Sequence, residues 1–152
     1  MDAEKNKLKL NASKTHILTV GTAQKLDRLN ASVQVFMDGM ELQESQTQSE
    51  IVLGCVVTAN LKWRGHCNSL VVKLKSRLQG LKMLGKFAPF DVRLKIADGL
   101  FNSVLVYCLP LFGGTEAQNI KTLQVLQNKA AQVVCQLPLR TNRKTLFDRV
   151  GW

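Results

Sequence analysis

Residues 51–86 read IVLGCVVTANLKWRGHCNSLVVKLKSRLQGLKMLGK, and a change of period inside them decides the fold. Ile51 to Val57 is an uncharged, β-branched run that predicts a buried strand. Thr58-Ala59-Asn60 turns the chain. From Leu61 the period moves from two to near 3.6. Trp63, Cys67, Leu70, Leu74, Leu78, Leu81 and Leu84 step by three or four and lay one apolar stripe along a helix. Lys73 and Arg77 stand at i,i+4 opposite that stripe, with Lys75, Lys82 and Lys86 as a neighbouring row. Gly80, costly inside a helix, predicts a bend or a close contact, and Gly85 a C-cap.

Towards the N-terminus the pattern is strands and turns. Ile17 to Val20 reads as a strand closed by Gly21. Val33 to Met37 alternates, passes through Asp38-Gly39 and resumes as Met40 to Leu42, the signature of a two-residue hairpin. Gln43 to Glu50 reads as a loop, giving four strands in all.

Towards the C-terminus, a second helix is predicted from about Pro89 to Cys108, ended by Pro110 and Gly113-Gly114. A third opens with Thr115 and Gln118 as a capping box and stops before Pro138. Thr141 caps a last short helix running to Arg149. The fold class expected is α+β: short N-terminal antiparallel strands with a hairpin over residues 1–60, then a basic three-helix bundle over 61–152.

Charge separates the same two regions. The chain carries a net +10, but residues 1–50 hold six Lys/Arg against seven Asp/Glu, while residues 51–152 hold fifteen against four. A field confined to one half points to a polyanionic partner, nucleic acid ahead of an anionic membrane. The alternative is a basic solvated face that only aids solubility.

Cys55, Cys67, Cys108 and Cys135 lie far apart with no C-x-x-C pair, so zinc-ligand spacing is missing and thiols in a reducing compartment are expected. Met1 to Leu10 is polar and Lys-rich, unlike a signal peptide, and Val104 to Phe112 falls short of the ~20 apolar residues a membrane span needs. The expectation is an intracellular protein, in cytoplasm or nucleus, with no membrane partner.

Five short motifs in order carry a resemblance to the reverse transcriptases (RNA-directed DNA polymerases) of non-LTR retrotransposons. Leu10-Asn11-Ala12-Ser13-Lys14-Thr15 resembles the L-N-x-x-K-T that follows the catalytic aspartates. Leu53-Gly54 resembles the primer-grip hairpin, and Leu61-Lys62-Trp63 with His66 the entrance to the thumb. Val106 to Gly113 and Leu123 to Ala130 resemble segments of the second and third thumb helices. The resemblance implies the C-terminal palm and the thumb, with a template–primer duplex of RNA and DNA as partner alongside the missing upstream palm and fingers.

It also implies roles. Lys14 would sit near an incoming triphosphate, or serve as a strand-edge lysine that keeps the edge soluble. Leu53 and Gly54 would grip the primer. His66 would touch phosphate or cap the turn, or be a hydrogen-bonded, non-catalytic histidine, and Lys73, Lys75, Arg77, Lys82 and Lys86 would contact duplex phosphates.

Thr58 stands where the family has Asp, and Cys108 where it has Gly. The Tyr/Phe-x-Asp-Asp motif is missing and no two carboxylates are adjacent, whereas two-metal chemistry needs ions held ~3.5–4 Å apart. The chain is therefore expected to be inactive alone and to need no cofactor, with Mg2+ confined to the full-length enzyme. The missing upstream palm and the stop at Trp152 favour a fragment. A free-standing basic nucleic-acid-binding module and a structural helical protein are the alternatives.

Overall fold

The computed structural model describes residues 11, 14–28, 34–37, 39–45, 48–114, 116–138 and 140–152. It is an α+β chain that divides into two compact units, residues 1–62 and 63–152.

The first unit holds short strands in three two-stranded pairs. β1 (His16–Ile17) runs parallel to β4 (Gln43–Glu44). β2 (Phe36–Met37) and β3 (Met40–Glu41) pair antiparallel with Met37 opposite Met40, so the expected hairpin forms. Gly39 has φ +78, the left-handed conformation such a turn demands, and Asp38 lies outside the described residues. A short helix, α1 (Ala23–Arg28), lies between β1 and β2.

β5 (Ser49–Val52) and β6 (Cys55–Thr58) form the third pair, and they correct the expectation of one buried strand over Ile51–Val57. Val52 pairs with Cys55, which leaves Leu53-Gly54 as a two-residue turn with φ +49 and +80. Both central residues of a type I′ turn need positive φ, and this turn has both. Ile51 is 72% and Leu53 83% exposed, so the first half of the run is apolar without being buried, while Cys55 is buried. Gln43 to Glu44 and Ser49 to Glu50 are strand where a loop was expected, which raises the count above four. Among its described residues this unit buries only Ser45, Cys55 and Ala59.

The turn after β6 is fastened by side chains. The Thr58 hydroxyl lies 3.0 Å from both Asn60 Oδ1 and the Lys62 carbonyl, and Asn60 Oδ1 also accepts from the Lys62 N–H at 3.1 Å. The Thr58 hydroxyl is the donor here, a role no carboxylate could fill, and Asn60 Oδ1 is the acceptor that caps the Lys62 N–H.

The second unit is helical. α2 (Arg64–Leu84) continues unbroken through Gly80, where an added Cβ would meet nothing within 4 Å, so no close contact explains that glycine. Gly85 ends α2 with φ −60, not in the left-handed region; its reason is space. A Cβ there would meet the Leu81 carbonyl oxygen at 3.0 Å, Val133 at 3.4 Å and Arg93 at 3.5 Å.

The predicted second helix is a continuous helical run whose middle is widened. α3 (Phe90–Ala97) passes into a π-helical turn (Asp98–Asn102) and then α4 (Ser103–Val106). Cys108, at φ +58, breaks the run, and α5 (Leu109–Phe112) follows with Pro110 in its first turn. α6 (Ala117–Cys135) begins after Glu116; Thr115, the expected cap, lies outside the described residues. α7 (Arg143–Val150) is capped by Asn142, whose side chain accepts from the Lys144 N–H at 2.9 Å, in place of Thr141. Thr141 instead donates to the Pro138 carbonyl at 2.8 Å.

One core joins these helices. Leu70, Leu74, Leu78 and Leu81 of α2 meet Phe101 and Leu105, Phe112, and Leu123, Leu126, Ala130 and Val134 of α6. Leu146 and Val150 bring α7, the expected last short helix, onto the core of the expected three-helix bundle. Cys67 and Cys135 are buried thiols, and burial pushes both above the ordinary thiol range.

Candidate nucleic-acid interface

The helical unit carries the whole net charge of the chain. Residues 63–152 hold fourteen Lys/Arg against four Asp/Glu, while residues 1–62 hold seven of each. The ion pair found among the described residues, His16 Nδ1 to Glu50 Oε1 at 3.2 Å, belongs to the first unit. None of the fourteen cations is neutralised by a described carboxylate, and all but the buried Arg93 and the half-buried Arg77 are exposed.

Helical geometry sorts the cations of α2. At about 100° per residue, Arg64 and Lys82 point the same way, and Lys75 lies about 20° from them. Lys73 and Arg77 fall about 140–180° round the helix. The five predicted cations are therefore two sets on opposite flanks, not neighbouring rows. Between them runs a neutral outward strip of Asn68, Val72, Ser76, Gln79 and Met83.

Arg64, Lys75, Lys82 and, in the turn just beyond, Lys86 are all exposed. From Arg64 to Lys82 the row spans about 27 Å, roughly the rise of eight base pairs of duplex. Arg64 is a member that sequence reasoning passed over, although its eighteen-residue spacing to Lys82, five full turns, is legible.

Arg77 does not stand free. Its Nη1 donates to the Leu100 carbonyl in the π-helical turn, so its guanidinium ties α2 to that turn. A widened turn leaves backbone carbonyls short of intrahelical donors, and Arg77 supplies one. Lys73 is exposed on the same flank.

His66 is corrected outright as a phosphate contact. It is 6% exposed, with its ring 5.0 Å from Phe112 and 6.2 Å from Trp63. Burial, with Lys73 adding to it, holds its pKa below the ordinary histidine value, so the neutral ring is the one packed there. Helix α2 turns His66 inward because it falls beside the apolar stripe.

Arg93 is a structural arginine with no sequence signal. It is buried, donates from Nε to the Val134 carbonyl at 2.8 Å and from Nη1 to the Ala88 carbonyl at 2.5 Å, and so holds α6 to the α2–α3 turn. Arg149 packs over the Phe90 ring at 5.3 Å.

In the first unit, Lys14 is exposed in a single turn closed by its N–H to the Asn11 carbonyl at 3.1 Å. Leu53 and Gly54 form the exposed tip of the β5–β6 hairpin. An open cleft of about 320 Å³ in this unit is lined by Ala23, Leu26, Asp27, Gln48, Thr58, Ala59 and Asn60. Its one charged lining group is a carboxylate, which repels phosphate, and Lys14 is not among its walls.

Among the described residues, no group of three or more His, Cys, Asp or Glu could hold a metal ion, and no helix is long and apolar enough to cross a membrane. No protein-family model, curated protein or solved structure gives a significant match to the chain.

Proposed function

We propose that the helical unit binds nucleic-acid duplexes through their phosphates, and that the chain is the primer–template-gripping part of a non-LTR retrotransposon reverse transcriptase, without its catalytic aspartates. The observation that carries the binding reading is the row Arg64, Lys75, Lys82 and Lys86, exposed on one flank and unneutralised by any described carboxylate. Cations spaced along a helix meet successive phosphates, position a duplex and read no base. The neutral strip beside the row suits the floor of a groove.

The retroelement assignment rests on the five ordered motifs. In that reading the hairpin tip at Leu53-Gly54 lies against the primer, and the exposed Phe36, Met40 and Ile51 face the rest of the palm. The strand-rich unit's scant burial supports a need for such a neighbour.

Two measurements test this. Fluorescence anisotropy of the full chain with a labelled B-form DNA duplex across a salt series is expected to give a slope of log K against log salt near −3.6, four phosphates at roughly −0.9 each. A flat response refutes phosphate binding. A nucleotide-incorporation assay is expected to show no metal-dependent extension; extension by the purified chain would contradict the loss of catalysis.

A further inference from the structure

The turn between α2 and α3 is tied down from several sides and yet presents a bare aromatic ring. Gln136 Nε2 donates to the Gly85 carbonyl at 2.5 Å and Arg93 Nη1 to the Ala88 carbonyl at 2.5 Å. The Phe87 N–H donates to the Leu84 carbonyl at 3.1 Å, and a Cβ at Gly85 would press on the Leu81 carbonyl oxygen at 3.0 Å. Pro89 then fixes the backbone as α3 begins. From this pinned turn Phe87 stands 90% exposed, next to Lys86 and just beyond Lys82. A solvated ring adds nothing to the core, so its side chain is not there for the fold.

We propose that Phe87 is a stacking platform for an unpaired nucleobase at the end of a bound duplex, with Lys82 and Lys86 on the phosphates of that strand. This rests on the duplex-binding reading above. An aromatic face accepts any base, and flanking cations hold the backbone, so the platform takes single-stranded ends without regard to sequence. The same ring beside lysines could meet an anionic lipid surface. Two features favour the nucleic acid. The cations form a line running about 27 Å away from the ring, matching a strand, not a plane. Interfacial insertion scales with apolar area, and this turn offers one ring with only Met83 and Leu84 beside it.

The test uses the full chain with three probes: a blunt RNA–DNA duplex, the same duplex with a single-stranded overhang carrying 2-aminopurine next to the junction, and phosphatidylcholine–phosphatidylserine vesicles. The wild-type chain should prefer the overhang duplex and quench the 2-aminopurine. Phe87→Ala should lose that preference, a drop of roughly 5- to 150-fold on the overhang probe, with the blunt duplex unchanged. Phe87→Trp should keep it, and Phe87→Leu, apolar without a π face, should behave like Phe87→Ala. Equal overhang binding by wild type and Phe87→Ala, full binding by Phe87→Leu, or a Phe87 effect seen only on vesicles would each overturn the platform. If Lys75→Gln/Lys82→Gln/Lys86→Gln weakens the blunt duplex while Phe87→Ala changes nothing, the duplex reading stands and the platform falls. If the wild-type chain binds neither nucleic acid, both fall together.

Discussion

Trp152 lies parallel to Phe101, with ring centroids 6.4 Å apart and planes 6° apart, and its indole N–H donates to Asp98 Oδ1 at 2.7 Å. The last residue of the chain is thereby bound to the π-helical turn at the middle of the bundle's second helical run. Trp152→Ala should lower stability by about 2 kcal/mol, while Trp152→Phe, which keeps the stack and loses the hydrogen bond, should cost about 1 kcal/mol. Urea denaturation of both variants checks the order; equal losses would show that the stack contributes nothing.

The two flanks of α2 should separate in experiment. Lys75→Gln/Lys82→Gln/Lys86→Gln should flatten the salt slope from near −3.6 to near −0.9, leaving Arg64 alone, with little change in stability. Arg77→Gln should do the reverse: a slope close to wild type and a loss of about 1 kcal/mol from the tie to the Leu100 carbonyl. Anisotropy and thermal melts on the same samples provide both readouts.

Arg93 should be among the costliest residues to remove. Arg93→Ala leaves the Val134 and Ala88 carbonyls without this donor in a buried place, which should cost about 3 kcal/mol. Arg93→Lys should recover little of it, because one ammonium cannot reach two carbonyls in the directions that the guanidinium spans. Chemical denaturation is the measurement, and full rescue by lysine would contradict the geometry.

His66 predicts an acid sensitivity with a definite sign. Its folded pKa is held below the ordinary 6.5, first by burial and then by Lys73, so near and below pH 6.5 the unfolded chain takes up a proton that the folded chain refuses. Stability from this site is therefore full above pH 6.5 and falls as pH drops below it, until the folded pKa is reached. His66→Phe should flatten the melting temperature between pH 7 and pH 5. An unchanged pH profile in that variant would assign the acid loss to other groups.

Leu53 sits at φ +49 in a turn position that suits Asn or Gly. Leu53→Asn should stabilise the β5–β6 hairpin by up to about 1 kcal/mol, because a left-handed conformation costs a branched apolar residue more. Slower amide exchange at Val57, paired with Glu50, would register it; faster exchange would contradict the strain.

The sequence by itself determined the elements whose signal is local. The stripe from Cys67 through Leu81 specified α2 because a 3.6-residue period can be buried on one side only as a helix. Asp38-Gly39 specified its hairpin because the turn's backbone needs residues that tolerate positive φ, and Pro138 marked the end of α6. Only the tertiary structure decided the rest. Ile51 to Val57 looks the same whether it is one buried strand or a hairpin with an exposed tip, since an uninterrupted apolar run has no period, and pairing of Val52 with Cys55 settles it. His66 and Arg93 carry polar side chains that a sequence assigns to the surface; Phe112 and Val134, distant along the chain, drew them inside. The cations of α2 were all visible as residues, but which of them face solvent on one flank depends on where α6 and the π-helical turn pack. Net charge is a property of the list of residues. A binding surface is a property of which ones the core leaves outside.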